Sequence, residues 1–284
     1  MRRAVWIAVL TVIAARNARA DEPWAAAAFE GARAALASRP PAGSLKSEAP
    51  ADVSMLRAAL IARLKRNPLA AEFAVPILEA KGGVTLVVRS ESEDASLKGA
   101  WATYKRDSRT LVLNRDAIAS DLPGGFDADR IADRYMPVFV HELGGHARHY
   151  RELAVILGAP APNARETETN ALRLEAMTTA AERKTNPSYL RDDKEYARGE
   201  SGLVDQYWKS KARRDPGLFA AYVSTLPGYA KIPEASGRVG DYYRGEEFSL
   251  LAADRRLVGD EIPDDESDAV RRERPLDGSR SMRR

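Results

Sequence analysis

The sequence predicts an α+β protein, mainly helical, with a small antiparallel sheet placed just before the helix that carries all of its histidines. Two observations lead there. Apolar residues recur at helical spacing over residues 52–66 and 68–81, where Leu56, Leu60 and Leu64 stand four apart, and a mainly helical pattern returns from Ala128 onward. Between these helical stretches lie three short runs with β-branched residues, closed off by Gly82-Gly83 on one side and carrying Arg106-Asp107-Ser108 as a turn on the other.

Taken in order, the chain opens with Arg2 and Arg3, then a twelve-residue apolar run from Ala4 to Ala15, too short to span a bilayer. Ala18-Arg19-Ala20 follows as a small-x-small cleavage pattern, so residues 1–20 read as a signal peptide and Asp21 as the mature N-terminus. On this reading the protein is exported, to the periplasm or the medium, without stable membrane insertion. Residues 1–20 contain four arginines and no acid, so their removal takes the formal charge from +3 to −1. A near-neutral chain without a basic stripe is not expected to bind nucleic acid. There is no cysteine, which excludes disulfides and thiolate ligands and leaves His, Asp and Glu to hold any metal.

Residues 21–51 form an Ala/Pro-rich segment, a helix followed by the linker Arg39-Pro40-Pro41-Ala42-Gly43-Ser44. The main domain is expected over residues 52–262. Strands are expected at Val84–Val88, Ala100–Tyr104 and Thr110–Leu113, with the hairpin turn between the last two. Residues 263–284 hold charge, Pro and Ser with little to bury and read as a disordered tail.

The informative segment runs from Pro137 to Tyr150. Pro137 suits a first helical turn and Gly158 with Pro160 a stop, which predicts about twenty residues of helix. The chain has three histidines, His141, His146 and His149, all within this helix. His141 and His146 are five apart; on a regular helix that leaves the imidazoles roughly 140° apart, unable to share an ion. A one-residue π-bulge restores the alignment, and Gly144-Gly145 is expected to lower the cost of the irregular turn. His149 then lies one turn beyond His146 as an alternative ligand or a supporting group. A zinc hydrolase needs a third ligand. Asn163 reads as a helix N-cap, which puts Glu166 in the next helix's first turn and Asn170 one turn later on the same face, placed to orient a histidine. Glu168 and Glu175 are rivals for the same role.

With these residues on view, the order of strands, a helix bearing H-E-L-G-G-H and a second helix bearing E-T-E-T-N resembles the gluzincin branch of the zincin metallopeptidases. Its usual motif is H-E-x-x-H, followed about twenty residues later by E-x-x-x-D. The six-residue form H-E-x-x-G-H resembles that of the dipeptidyl peptidase III family. The resemblance implies a zincin-like catalytic domain with Zn2+ held by His141, His146 and Glu166, with Glu142 as general base and Asn170 where the family has Asp. It also implies a peptide or protein substrate, with the strand Thr110–Asn114 beside the cleft and able to pair with it. Since no histidine follows His149, the oxyanion donor must be another group; Tyr242, Tyr243 and Arg244 are the candidates, with Tyr243 foremost, and a plain surface loop is the alternative. The expected function is thus an exported zinc metallopeptidase. The alternatives are an inactive zinc-binding relative and an exported envelope or binding protein whose histidine cluster is incidental.

Overall fold

A computed structural model describes residues 51–259, except 82, 123–126, 161, 192–201 and 227. The expected signal peptide, the linker and the tail lie outside the described residues. Helix α1 (Ala51–Arg66) buries Leu56, Leu60 and Leu64 completely, as their spacing predicts. Asn67 then caps α2 (Pro68–Phe73), its side chain accepting from the amides of Leu69 and Ala70. The single helix expected over 68–81 is broken at Ala74 into α2 and α3 (Val75–Glu79). Pro76 has no amide to offer the carbonyl four residues back, so the ladder cannot continue through it.

The three strands are β1 (Thr85–Arg89), β2 (Ala102–Lys105) and β3 (Thr110–Asn114), in the order β1-β3-β2. β2 and β3 form the expected antiparallel hairpin, turning at Arg109 with a φ of 51°. The expectation of a wholly antiparallel sheet is corrected at β1, which pairs parallel to β3 with Thr85 opposite Thr110, so the sheet is mixed. The connection over residues 90–101 carries the chain across the sheet, leaving room for β3 to enter between the two earlier strands. The second expected detail to change is the strand at the cleft: β3 is central and paired on both sides, and β2, whose Tyr104 amide donates to Glu142, is the edge strand beside the histidine segment.

Asn114 closes β3 by capping α4 (Arg115–Asp121), its side-chain Oδ1 accepting from the Asp116 and Ala117 amides while its Nδ2 donates to the carbonyls of Leu97 and Ala100. α5 (Ala128–Arg134) and α6 (Met136–Phe139) lead into the histidine segment, which continues as α7 (Arg148–Leu157) and stops at Gly158 with φ 67°. α8 (Arg165–Thr185) is the central helix, with fourteen buried residues. α9 (Leu203–Ala212), α10 (Pro216–Thr225) and α11 (Gly237–Ala253) pack around it. One apolar core joins α1, the sheet, the histidine segment and α8 through Leu60, Leu111, Phe139, Leu143 and Met177. Among the described residues no helix is long and apolar enough to cross a membrane.

Candidate metal centre

Between α6 and α7 the chain is π-helical over Val140–Ala147 and holds the H-E-L-G-G-H segment. The wider turn does what the five-residue spacing requires: Nε2 of His141 and Nε2 of His146 are 3.0 Å apart. The glycines sit in the π turn as expected and serve a further purpose in packing. Neither has a positive φ; a Cβ on Gly145 would stand 2.4 Å from the Cβ of Ala171, and one on Gly144 would stand 2.8 Å from Leu174 Cδ2 and 3.3 Å from Phe73 Cβ. They let α8 press against the π segment, bringing a carboxylate from α8 within reach of the imidazoles.

That carboxylate is Glu168. Its Oε2 lies 3.3 Å from His146 Nε2 and 3.7 Å from His141 Nε2. Seven residues on, about 20° short of two full turns and so on the same face, Glu175 accepts a hydrogen bond from His141 Nδ1 at 2.9 Å. Glu166 is not brought to the histidines: its Oε2 accepts the Ala235 amide at 2.8 Å. The cap explains the difference. α8 starts after Ala164, not Asn163, with the Arg165 amide bonded to the Pro233 carbonyl, so its first turn docks on the 230–235 loop and Glu166 faces that loop. Two residues further along, roughly 200° around the helix, Glu168 faces the π segment.

Glu142 completes a buried His141, Glu142, His146 group that could hold a metal ion, with one ligating atom of each within 4.8 Å of the others. Its Oε2 accepts the Tyr104 amide of β2 at 2.8 Å, which leaves Glu168 the closer carboxylate to both imidazoles. Burial raises the Glu142 pKa, with the neighbouring imidazoles opposing. Burial would also raise that of Glu168, but the charge and hydrogen bond of His146 hold it below the ordinary value. For His141 burial works against the cation, yet the hydrogen bond and charge of Glu175, with Glu142 and Glu168, prevail and lift it to about 9.

The donor set fits an ion. Ligands about 2.1 Å from a tetrahedral metal are roughly 3.4 Å from one another, and the three separations here, 3.0, 3.3 and 3.7 Å, bracket that edge. The Nδ1 bond to Glu175 turns the Nε2 lone pair of His141 toward the same point, the arrangement by which carboxylates orient metal-binding histidines. His146 and His141 are each 8 % exposed, so the centre is buried and not sealed.

The other expected residues lie elsewhere. His149 is fully buried, with Nε2 beside Arg148 and Glu246 and its ring edge-on to Tyr242 and Tyr243; burial lowers its pKa to about 4 and keeps it neutral. The Tyr243 hydroxyl bonds Thr167 Oγ1, which sets Tyr243 beside His149 and not at the paired imidazoles. Asn170 does not orient a histidine: its Nδ2 is buried without a partner among the described residues. Glu166, Asn170, Tyr243 and Arg244 instead line one cavity of about 350 Å³ between α8, α10 and α11, which none of His141, Glu142, His146 and Glu168 lines.

Sequence reasoning passed over Tyr150. It is four residues after His146, one turn along the helix, and its ring stacks on that imidazole at 6.0 Å and 16° and on Tyr104 at 6.4 Å and 17°. The spacing from His146 was the available signal. Comparison with known proteins yields no match: no family model matches the chain, and neither a curated protein nor a solved structure does.

Proposed function

We propose that the chain is an exported zinc-dependent hydrolase of peptide bonds, zincin-like in its site, with the metal held by His141, His146 and Glu168. The observation that carries the reading is the convergence of those three donor atoms at separations near a tetrahedral edge. Two imidazoles and a carboxylate, in a chain with no thiolate to offer, are a donor set that zinc hydrolases use. When bound, zinc supplies an acidified water and a Lewis acid for the scissile carbonyl.

The protein's own groups supply the remaining steps. Glu142, made more basic by burial, takes the proton from the attacking water and returns it to the leaving amine. Its hydrogen bond from the Tyr104 amide fixes the carboxylate against the edge of β2. A peptide laid along that edge as an added strand would present its backbone beside Glu142. On this reading the half-buried Tyr150, whose ring stacks on His146, donates its hydroxyl to the developing oxyanion.

The test is a cleavage assay on an unstructured protein substrate with and without a chelator, repeated with Glu142→Gln. The expected result is hydrolysis that chelation abolishes and zinc restores, and a variant that keeps zinc while losing turnover by at least about a hundredfold. Zinc uptake with no hydrolysis in the unmodified protein would make it a metal-binding protein without this activity. Unchanged turnover in Glu142→Gln would reject the assignment of the base.

A further inference from the structure

A π-helical stretch has to rejoin an α-helix, and at that junction the backbone ladder slips by one partner. Here the slip falls at Arg148. Its amide, which in a regular α-helix would bond the Gly144 carbonyl, reaches the carbonyls of Leu143 and Gly145 instead. The Gly144 carbonyl accepts Nε of the Arg148 side chain at 2.6 Å. The residue whose backbone withdraws its usual bond thus supplies one from its side chain, inside a site where an unmet carbonyl would be costly.

The rest of the guanidinium is held as firmly. Its two outer nitrogens meet both oxygens of Glu246 on α11, one at 3.0 Å, in the two-pronged geometry that arginine and carboxylate favour. Glu246 is 0 % exposed and Arg148 2 %. His149 Nε2 lies 3.0 Å from the same guanidinium, and Phe73 of α2 faces it at 4.9 Å. None of these groups reaches the paired imidazoles. An ion pair sealed this completely contributes little net stability over an apolar pair of the same shape, and its best-attested use is to select one arrangement over another.

We propose that Arg148 and Glu246 form a clamp that holds the His141–His146 segment in the π register, and so act as positioning residues for the metal centre. In the α register the two imidazoles would diverge by roughly 140° and bind no common ion. The clamp caps the carbonyl that the π register frees, and it fixes that cap to α11 through Glu246. This inference rests on the metal reading above, since its consequence is metal affinity.

Two variants test it. Arg148→Met with Glu246→Leu removes both charges of the clamp together; the buried Glu152, 4.0 Å from the guanidinium, keeps the hydrogen bond it accepts from the Tyr242 hydroxyl. Arg148→Lys keeps the charge opposite Glu246 but puts a methylene where Nε stood. For each, zinc affinity is titrated by competition, the visible spectrum of the cobalt-loaded protein is recorded, and amide hydrogen exchange is followed over residues 140–150 and over α8. Both variants are expected to bind zinc at least roughly tenfold more weakly, the loss typical of groups that orient ligands. Their cobalt spectrum should depart from that of the unmodified protein, and exchange should quicken over 140–150 while α8 stays protected. Affinity, spectrum and exchange all equal to the unmodified protein in a folded variant would overturn the clamp. Should the double variant not fold, Arg148→Lys decides alone. If the unmodified protein binds no zinc or cobalt, the metal reading fails; exchange then judges the clamp, and unchanged rates over 140–150 overturn it.

Discussion

Replacing Gly145 with alanine is the perturbation whose consequences the structure specifies most fully. The new Cβ would lie 2.4 Å from Ala171 Cβ and 2.9 Å from Ala171 Cα, on a helix with no flexible side chain to move aside. Carbon atoms rest at about 3.5–4.0 Å, so α8 must retreat by about 1 Å. Overpacking of this kind costs about 1–3 kcal/mol. Alanine recovers about 1 kcal/mol of helix propensity over glycine. The net loss should be on the order of 1–2 kcal/mol, because the obstacle is backbone and Cβ and not a mobile side-chain end. The same retreat carries Glu168 from 3.3 Å to over about 4 Å from His146 Nε2, outside a tetrahedral edge, so zinc affinity should fall at least about tenfold. Urea denaturation in chelator gives the first quantity and zinc titration the second. Ala171→Gly removes the opposing methyl and should recover part of both losses when combined with Gly145→Ala. If Gly145→Ala alone is as stable as the unmodified protein and binds zinc as tightly, the argument that these glycines set the helix approach is refuted.

Two further outcomes are expected. His149, fully buried with its pKa lowered to about 4, is neutral when folded but titrates near 6.5 when unfolded. The unfolded chain therefore binds the extra proton between these values, so the His149 contribution, about 3 kcal/mol, is present above pH 6.5 and lost as pH falls through 4. Denaturant unfolding in chelator should show this slope, and His149→Gln should flatten it; an unaltered slope in the variant would contradict the buried neutral ring. Tyr150→Phe keeps the stack on His146 and removes the hydroxyl, so kcat should drop about a hundredfold with KM little changed; a kcat unaffected by the change would remove Tyr150 from the reaction.

Much of this was legible in the sequence wherever local spacing decided the outcome. Leu56, Leu60 and Leu64 mark a buried helix face, and the Arg106–Arg109 turn closes a hairpin. His141 and His146, five apart around two glycines, demand the π turn that the backbone adopts. What escaped depends on contacts distant in the chain. The parallel pairing of β1 with β3 is set by where the 90–101 connection crosses the sheet. The register of α8 is set by the docking of Arg165 and Glu166 on residues 232–235, about seventy positions later, which turns Glu166 away and Glu168 inward. A clue was present all the same: Glu168, Ala171 and Glu175 share one face, and the small Ala171 between two acids matches Gly145 across the interface. Glu166 and Glu168 lie roughly 200° apart on the helix, so only one can face the histidines; the spacing from His146 points to Glu166, and the docking of the first turn selects Glu168. The Arg148–Glu246 pair, ninety-eight residues apart, left no local trace.

The identity of the third ligand tests the account most directly, because it separates Glu168, which faces the histidines, from Glu166, which the sequence spacing points to. Zinc is titrated into metal-free protein, unmodified and with Glu168→Ala or Glu166→Ala, with folding followed by circular dichroism. The unmodified protein should take up about one zinc per chain. Glu168→Ala should bind at least about a hundredfold more weakly, and Glu166→Ala should stay within a few-fold of the unmodified protein. A folded unmodified protein that takes up no zinc, or a Glu166→Ala variant that loses the metal while Glu168→Ala keeps it, would contradict the centre described here.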